Sequence, residues 1–210
     1  EKTHDSILWF FMGFYPQYFP CKFAIHDYRS LSVSKIRLVS FIKDAVKRKS
    51  NSKPDLRIFL NNELKRRLHF NDHIPDIILD MGIDADLTSK IIRTADYSAE
   101  KEYLLCCLGG LSKVRGLSKI IQNFLKSYPN ERMLLIGEPD RGILKEYGKN
   151  KQIVFTGRLP QEEAFKMSIK AEAGICFIPD IYPYTFQTPT KLLEYISLGL
   201  PVIARILLVL

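Results

Sequence analysis

The chain has 210 residues, of which 46% are apolar and 26% are charged, and its formal net charge is +8. These proportions are ordinary for a folded globular protein and argue against disordered and fibrous classes. The positive charge favours an anionic partner such as nucleotide phosphate, acidic lipid or nucleic acid, although many proteins carry such a charge with no partner. Nucleic acid is the weakest of these because the sequence shows no basic and aromatic stacking platform and no zinc-ligand spacing.

The first apolar run of the chain covers residues 7–12 and is soon interrupted by Pro16 and Pro20. It is too short to span a bilayer and lacks a signal-peptide cleavage pattern. None of the four cysteines has metal-ligand spacing, and we expect buried, reduced thiols in a cytoplasmic protein without a metal site or cofactor. These cysteines are Cys21, Cys106, Cys107 and Cys176.

The first part of the chain alternates strand and helix patterns. Apolar runs at residues 22–26, 56–60 and 76–79 predict buried strands. A basic amphipathic pattern over residues 33–49 predicts a helix, and a second, shorter helix is predicted over residues 63–70. We therefore predict a partial first domain over residues 1–84, followed by a polar linker over residues 85–102.

The same alternation recurs over residues 103–210, which we predict to be a second domain. Strands are predicted at residues 103–108, 132–136, 152–155, 174–178 and 201–204, and helices at residues 116–127, 141–148, 161–170 and 190–198. Continuous apolar strands separated by helices indicate parallel sheets covered on both faces. Such sheets bind ligands at the carboxyl ends of their strands.

The segment 189–204 follows a proline-rich loop and contains the most informative residues. Its helix begins near Thr190, where free backbone N–H groups and the positive end of the helix dipole can hold an anion such as a diphosphate. Glu194 lies one turn further along, where its carboxylate can accept hydrogen bonds from two vicinal ribose hydroxyls. Taken alone, a glutamate on a helix is more often a solvated surface residue.

This segment resembles the donor-site signature of glycosyltransferase family 4, the group 1 glycosyltransferases. The resemblance implies an α/β protein of the GT-B fold, with two Rossmann-like domains built on parallel sheets. It also implies that the helix start at Thr190, Lys191 and Leu192 receives the diphosphate and that Glu194 holds the ribose. The family usually carries a second glutamate eight positions earlier, where this chain has Phe186, so contacts to the donor sugar are expected to differ.

Residues 108–117 resemble a second family feature, a strand followed by a glycine turn and then a pair of cations that neutralise the leaving diphosphate. Gly109 stands in the turn, Arg115 stands at the second cation position, and Gly110 replaces the first cation. A guanidinium binds phosphate in a bidentate manner, so Arg115 can act as a single clamp. Lys113 is expected to be solvated.

Two further glycines follow predicted strands. The loop containing Gly157 and Leu159 resembles the family loop that borders the nucleotide base, and Gly137 matches a family position near the nucleotide. A glycine after a strand is also a common turn residue, which is the alternative explanation for both.

In the first domain, residues 27–30 resemble a family loop near the acceptor, and residues 81–84 resemble the family hinge. His26 and Asp27 could approach an acceptor, but a lone histidine beside a strand is more often structural. The cationic runs at residues 43–49 and 65–67 suggest peripheral contact with an anionic membrane. A solvated helix face is the more frequent origin of such runs.

The resemblance implies transfer of a sugar from a nucleoside-diphosphate sugar to a hydroxyl of a glycan or lipid-linked acceptor, with retention of configuration. It implies no metal, because cations and a helix terminus stabilise the departing diphosphate. The family's amino-terminal half-sheet and its later helices are not matched, so we expect the chain to be incomplete at both ends. Two alternatives remain open at this stage, a GT-B sugar-nucleotide epimerase and a non-catalytic fragment that binds nucleotide at most.

Overall fold

The computed structural model describes residues 5–11, 14–32, 34, 36–178 and 189–204. These residues form two compact units, and the division falls between Met81 and Gly82. Each unit is built on a parallel β-sheet with helices, so the predicted α/β architecture is confirmed.

The first unit contains a four-stranded parallel sheet in the order β1-β2-β3-β4. Its elements are β1 (Ile7–Phe11), β2 (Phe23–Tyr28), α1 (Arg37–Ser50), β3 (Leu56–Phe59), α2 (Asn62–Leu68) and β4 (Asp76–Ile78). Tyr28, Phe59, Leu64 and Leu68 pack together in its core. The apolar run at the start of the chain, to which the sequence analysis assigned no element, forms strand β1.

His26 and Asp27 are part of the interior of this unit, and each is at most 2% exposed. Asp27 pairs with Arg29, with 2.6 Å between Asp27 Oδ1 and Arg29 Nε, and it accepts a hydrogen bond of 3.1 Å from the indole of Trp9. Burial lowers the pKa of His26 to about 4, and the nearby Arg57 acts in the same direction. His26 is therefore neutral at pH 7. Both side chains are buried inside the unit and contact other residues of its fold.

The second unit contains a five-stranded parallel sheet in the order β7-β6-β5-β8-β9. Its strands are β5 (Tyr103–Leu108), β6 (Met133–Ile136), β7 (Ile153–Gly157), β8 (Ala171–Cys176) and β9 (Val202–Ala204). Its helices are α3 (Ala85–Thr94), α4 (Leu117–Ser127), α5 (Arg141–Tyr147), α6 (Gln161–Ser168) and α7 (Thr190–Ser197), and a 3₁₀ turn covers Lys113–Arg115. One apolar cluster packs under α4 and α5, and another packs under α6 and α7.

Residues 85–94, within the segment predicted as a linker, form helix α3. The carboxylate of Asp84 caps it by accepting the N–H of Leu87 at 2.9 Å. Ile91 packs against Phe165 and Leu198, on α6 and just after α7. This helix therefore belongs to the second unit.

The sheet of the second unit reverses its direction of growth at β5. The chain adds β6 and then β7 on one side of β5, and later adds β8 and β9 on the other side. The carboxyl ends of β5 and β8 consequently form a topological switch point, where loops diverge and leave a crevice.

Tyr195 on α7 is fully buried and ties this helix to both strands of the switch point. Its hydroxyl accepts the N–H of Leu108 at 2.7 Å, at the end of β5. Its ring lies so close to Gly174 of β8 that a Cβ on that glycine would be 2.6 Å from the ring. Gly174 is thus required by the space that the tyrosine ring occupies.

We expect Gly174→Ala to destabilise the second unit by about 1–3 kcal/mol, because the added methyl overpacks the Tyr195 ring. The free energy of unfolding from urea denaturation measures the effect. Gly82→Ala is the matched control, since a Cβ there meets nothing within 4 Å. Equal stability of the two variants would contradict this account of Gly174.

Candidate functional site

A cavity of about 330 Å³ lies at the switch point of the second unit, beside the carboxyl end of β5 and the first turns of α6 and α7. Seven of the ten residues predicted from the sequence to bind a donor line this cavity, namely Gly109, Gly110, Arg115, Leu159, Thr190, Lys191 and Glu194. They come from three separate segments of the chain, which the fold brings together in one place.

Gly137, Gly157 and Leu192 do not line the cavity. The N–H of Gly137 donates to the carbonyl of Gly157 at 3.0 Å, and a Cβ on Gly137 would be 2.5 Å from the carbonyl oxygen of Gly109. The absence of a side chain at Gly137 thus allows the ends of β5 and β6 to approach each other, and its hydrogen bond joins them to the end of β7. The N–H of Leu192 donates to Pro189 at 3.0 Å, in the first turn of α7.

Arg115 extends its guanidinium over Gly110. A Cβ on Gly110 would be 2.9 Å from Arg115 Nη1 and 3.1 Å from Cζ. The absence of a side chain at Gly110 therefore makes room for the guanidinium at the cavity wall. Lys113, two positions before Arg115, is exposed and pairs instead with Glu146, with 2.5 Å between Nζ and Oε2.

Helix α7 begins at the cavity with an extended Pro189 (φ −75°, ψ 115°). Within the part of the chain that the structure describes, no side chain caps this helix start. The backbone N–H groups of the first turn and the helix dipole therefore present positive potential at Thr190 and Lys191.

The buried thiol of Cys107 on β5 lies within the electrostatic reach of both Lys191 and Arg115. Burial raises the pKa of Cys107, while the charges of Lys191 and Arg115 act in the opposite direction. Both cations thus influence the same point beneath the cavity, and the site is electropositive on this side.

Glu194 is half-buried in the wall of the cavity. Burial raises the pKa of its carboxyl, and the nearby Lys191 opposes that shift. A carboxylate that has lost part of its hydration is stabilised when ligand hydroxyl groups donate hydrogen bonds to it. Its surroundings therefore suit a polyhydroxylated ligand.

Four cavity residues were not among the predicted site residues. One is Leu108, the last residue of β5. The other three are Gln161, Ala164 and Phe165, all on the first two turns of α6. Gln161 directly follows Pro160 and the loop containing Leu159, and this adjacency was the signal available in the sequence. Phe186, which replaces the family glutamate, lies outside the described residues.

The described residues contain no cluster of three or more histidine, cysteine, aspartate or glutamate side chains suited to a metal ion. All four cysteines are free; Cys106, Cys107 and Cys176 are buried as expected, whereas Cys21 is only partly buried. Among the helices of the described residues, none combines the length and the apolarity needed to cross a membrane.

A model of the family described as glycosyl transferases group 1 matches residues 89–205 of the chain. The chain belongs to this family. The match includes every residue of the cavity and more than half of the chain. A search of curated protein sequences finds no match.

Solved structures of the GT-B fold resemble this family member at low sequence identity. Sucrose-phosphate synthase from Thermosynechococcus elongatus is 16% identical with a TM-score of 0.59, and the match covers 86% of this chain and 49% of that one. HepE from Anabaena, in complex with UDP and glucose, is 13% identical with a TM-score of 0.59, and the match covers 86% of this chain and 52% of that one.

The UDP-forming α,α-trehalose-phosphate synthase from Burkholderia xenovorans is 11% identical with a TM-score of 0.61, and the match covers 96% of this chain and 59% of that one. The chain therefore spans about half to three-fifths of the length of these structures. The likeness confirms the predicted GT-B fold.

The raised pKa of Glu194 predicts a pH-dependent effect of Glu194→Gln on stability. Burial favours the protonated carboxyl in the folded chain more than in the unfolded chain. The stabilisation that this gives is fully present below the ordinary pKa of 4.5 and is lost as the pH rises through the raised pKa. We expect the free energy of unfolding of Glu194→Gln, relative to the natural chain, to increase between about pH 4 and about pH 7.

Urea denaturation at several pH values measures this difference, and Glu131→Gln at an exposed position is the control. A difference between the natural chain and Glu194→Gln that stays constant over this pH range would show that burial does not raise the pKa of the Glu194 carboxyl.

Proposed function

We propose that the cavity binds the nucleoside diphosphate of a sugar-nucleotide donor and that the protein transfers the sugar to an acceptor hydroxyl with retention of configuration. The observation that carries this proposal is the convergence of Arg115, Lys191 and the start of α7 on one side of the cavity, with Glu194 one turn further along the helix. Membership of the group 1 glycosyltransferases and the UDP and glucose bound to HepE support it.

The diphosphate in this proposal lies against the positive side of the cavity. Arg115 donates two parallel hydrogen bonds to phosphate oxygens, and Lys191 adds a second charge. The N–H of Thr190 and the dipole of α7 act on the same group. When the bond between the anomeric carbon and the diphosphate breaks, its electrons remain on the leaving oxygen, and these groups stabilise the developing charge.

Glu194 binds the ribose in this proposal. Two vicinal hydroxyls donate to its two carboxylate oxygens, and each such bond to a charged group contributes about 1.5–3 kcal/mol. Leu159 offers an apolar surface to the base, and the amide of Gln161 offers both a donor and an acceptor to its edge. The proposed donor thus spans the cavity from α7 to α6.

The acceptor in this proposal is a hydroxyl of a glycan or of a lipid-linked sugar. The acceptor oxygen forms its bond on the face of the sugar from which the diphosphate leaves, which retains the configuration, and its proton is released. No residue of the chain is assigned to that proton transfer.

We expect Arg115→Ala to lower the affinity for UDP, GDP or ADP, whichever the natural chain binds, by roughly 10- to 100-fold, because charge-assisted hydrogen bonds to phosphate are lost. Calorimetry of the natural chain against the three nucleotides identifies the base and provides the reference. Lys113→Ala is the matched control, because it removes a cation two positions away that pairs with Glu146. An equal loss in both variants, or no loss in Arg115→Ala, would remove Arg115 from the site.

The same calorimetry tests the role of Gly110. We expect Gly110→Ala to weaken binding because its methyl displaces the guanidinium, and we expect Gly110→Ala combined with Arg115→Ala to bind no worse than Arg115→Ala alone. Additive losses would mean that Gly110 acts independently of Arg115. Gly82→Ala controls for the general effect of replacing a glycine.

A further inference from the structure

Helix α1 of the first unit exposes its apolar side. Leu38, Phe41 and Ile42 are 66%, 61% and 52% exposed. The buried positions of the helix are polar, since Ser40 and Asp44, one turn apart, are almost inaccessible to solvent. A surface helix of a globular protein normally has the opposite arrangement, with its apolar stripe against the core.

Polar contacts hold α1 in this orientation. The carboxylate of Asp44 accepts the N–H of Ser32 at 3.0 Å. The guanidinium of Arg48 donates to the carbonyl of Leu68, at the end of α2, at 3.1 Å. The orientation is therefore set by specific hydrogen bonds to the inner side of the helix, which leaves the apolar side available to a partner.

The exposed apolar residues form one continuous stripe. Positions 38, 41, 42 and 46 follow the three- and four-residue spacing of a single helix face, and Val46 extends the stripe by a further turn. An exposed apolar patch bordered by charges is typical of an interaction surface.

The charges around the stripe are positive. Lys43 and Lys49 are exposed, and Lys47 and Arg48 are partly buried beside them. Asp44 is the single acidic residue of α1, and it is buried and engaged with Ser32. The accessible surface of the helix is therefore apolar and cationic, the combination that binds the interface of an anionic membrane.

The other cationic run suggested by the sequence does not share this character. On α2, Arg66 and Arg67 both pair with Glu63, each at 2.5 Å, and Lys65 pairs with Asp76 at 2.6 Å. Carboxylates thus offset the charge of that run, whereas no ion pair is seen for Lys43 or Lys49 of α1 among the described residues.

We propose that the exposed face of α1 docks on an anionic lipid surface. Leu38, Phe41, Ile42 and Val46 enter the boundary between headgroups and acyl chains, and Lys43 and Lys49 bind lipid headgroups through their charges. The proposal concerns the first unit and does not depend on the function proposed for the cavity of the second unit.

Flotation of the whole chain with lipid vesicles tests this docking. We expect binding to phosphatidylcholine vesicles that contain about one third phosphatidylserine, and little binding to phosphatidylcholine alone. Replacing both lysines, Lys43→Gln with Lys49→Gln, should weaken binding roughly 10- to 30-fold, because each cation contributes about a fivefold factor near an anionic surface. Phe41→Ser with Ile42→Ser should weaken binding to the same vesicles both at low salt and at high salt, because salt screens charges but not the insertion of apolar side chains.

Matched controls remove the same groups elsewhere. Lys119→Gln with Lys126→Gln removes two exposed cations of α4, and Leu144→Ser with Ile196→Ser removes two exposed apolar side chains of the second unit. Circular dichroism verifies that every variant is folded.

The proposal is wrong if the folded chain does not bind anionic vesicles or if the control variants lose as much binding as the α1 variants. A dimer would also contradict the proposal if Phe41→Ser with Ile42→Ser dissociates it but leaves lipid binding unchanged. In that case a second copy of the chain covers α1.

Discussion

The candidate site depends on one buried side chain, that of Tyr195. Its hydroxyl accepts the N–H of Leu108 at the end of β5, and its ring occupies the space above Gly174 in β8. Helix α7 is therefore tied to both central strands of the sheet. Glu194 precedes Tyr195 on this helix, and the glycine turn directly follows Leu108, so the hydrogen bond of Tyr195 links the two walls of the cavity directly. A shift of the tyrosine would move both walls relative to each other.

The carboxyl of Glu194 lies in the cavity wall at the expense of part of its hydration, beside the two cations of the site. Arg115 lies over Gly110, Lys191 stands at the start of α7, and the half-buried position of Glu194 raises the pKa of its carboxyl. Ionisable groups with shifted pKa values cluster at functional sites because binding and catalysis need charges in environments that water would otherwise screen.

Local patterns in the sequence predicted most of the second unit. Strand β5 was predicted with its observed bounds, and seven of the cavity residues were predicted because they belong to segments that resemble family motifs after strand ends or at helix starts. Helix α3 was missed because its polar composition resembles a linker, and its packing on Phe165 and Leu198 is a long-range property. The outward apolar face of α1 was also beyond prediction, since periodicity shows that a helix has two faces but not which of them is buried.

Hydrogen–deuterium exchange of the chain with and without UDP tests the central claim most directly, with GDP or ADP used instead if calorimetry selects another base. The account predicts slower exchange in peptides covering residues 108–116 and 189–195, which form the two walls that Tyr195 joins, and unchanged exchange in strand β3 of the first unit. Saturating nucleotide that leaves both peptides unprotected, or that protects β3 instead, would contradict the proposal that this cavity is the donor site.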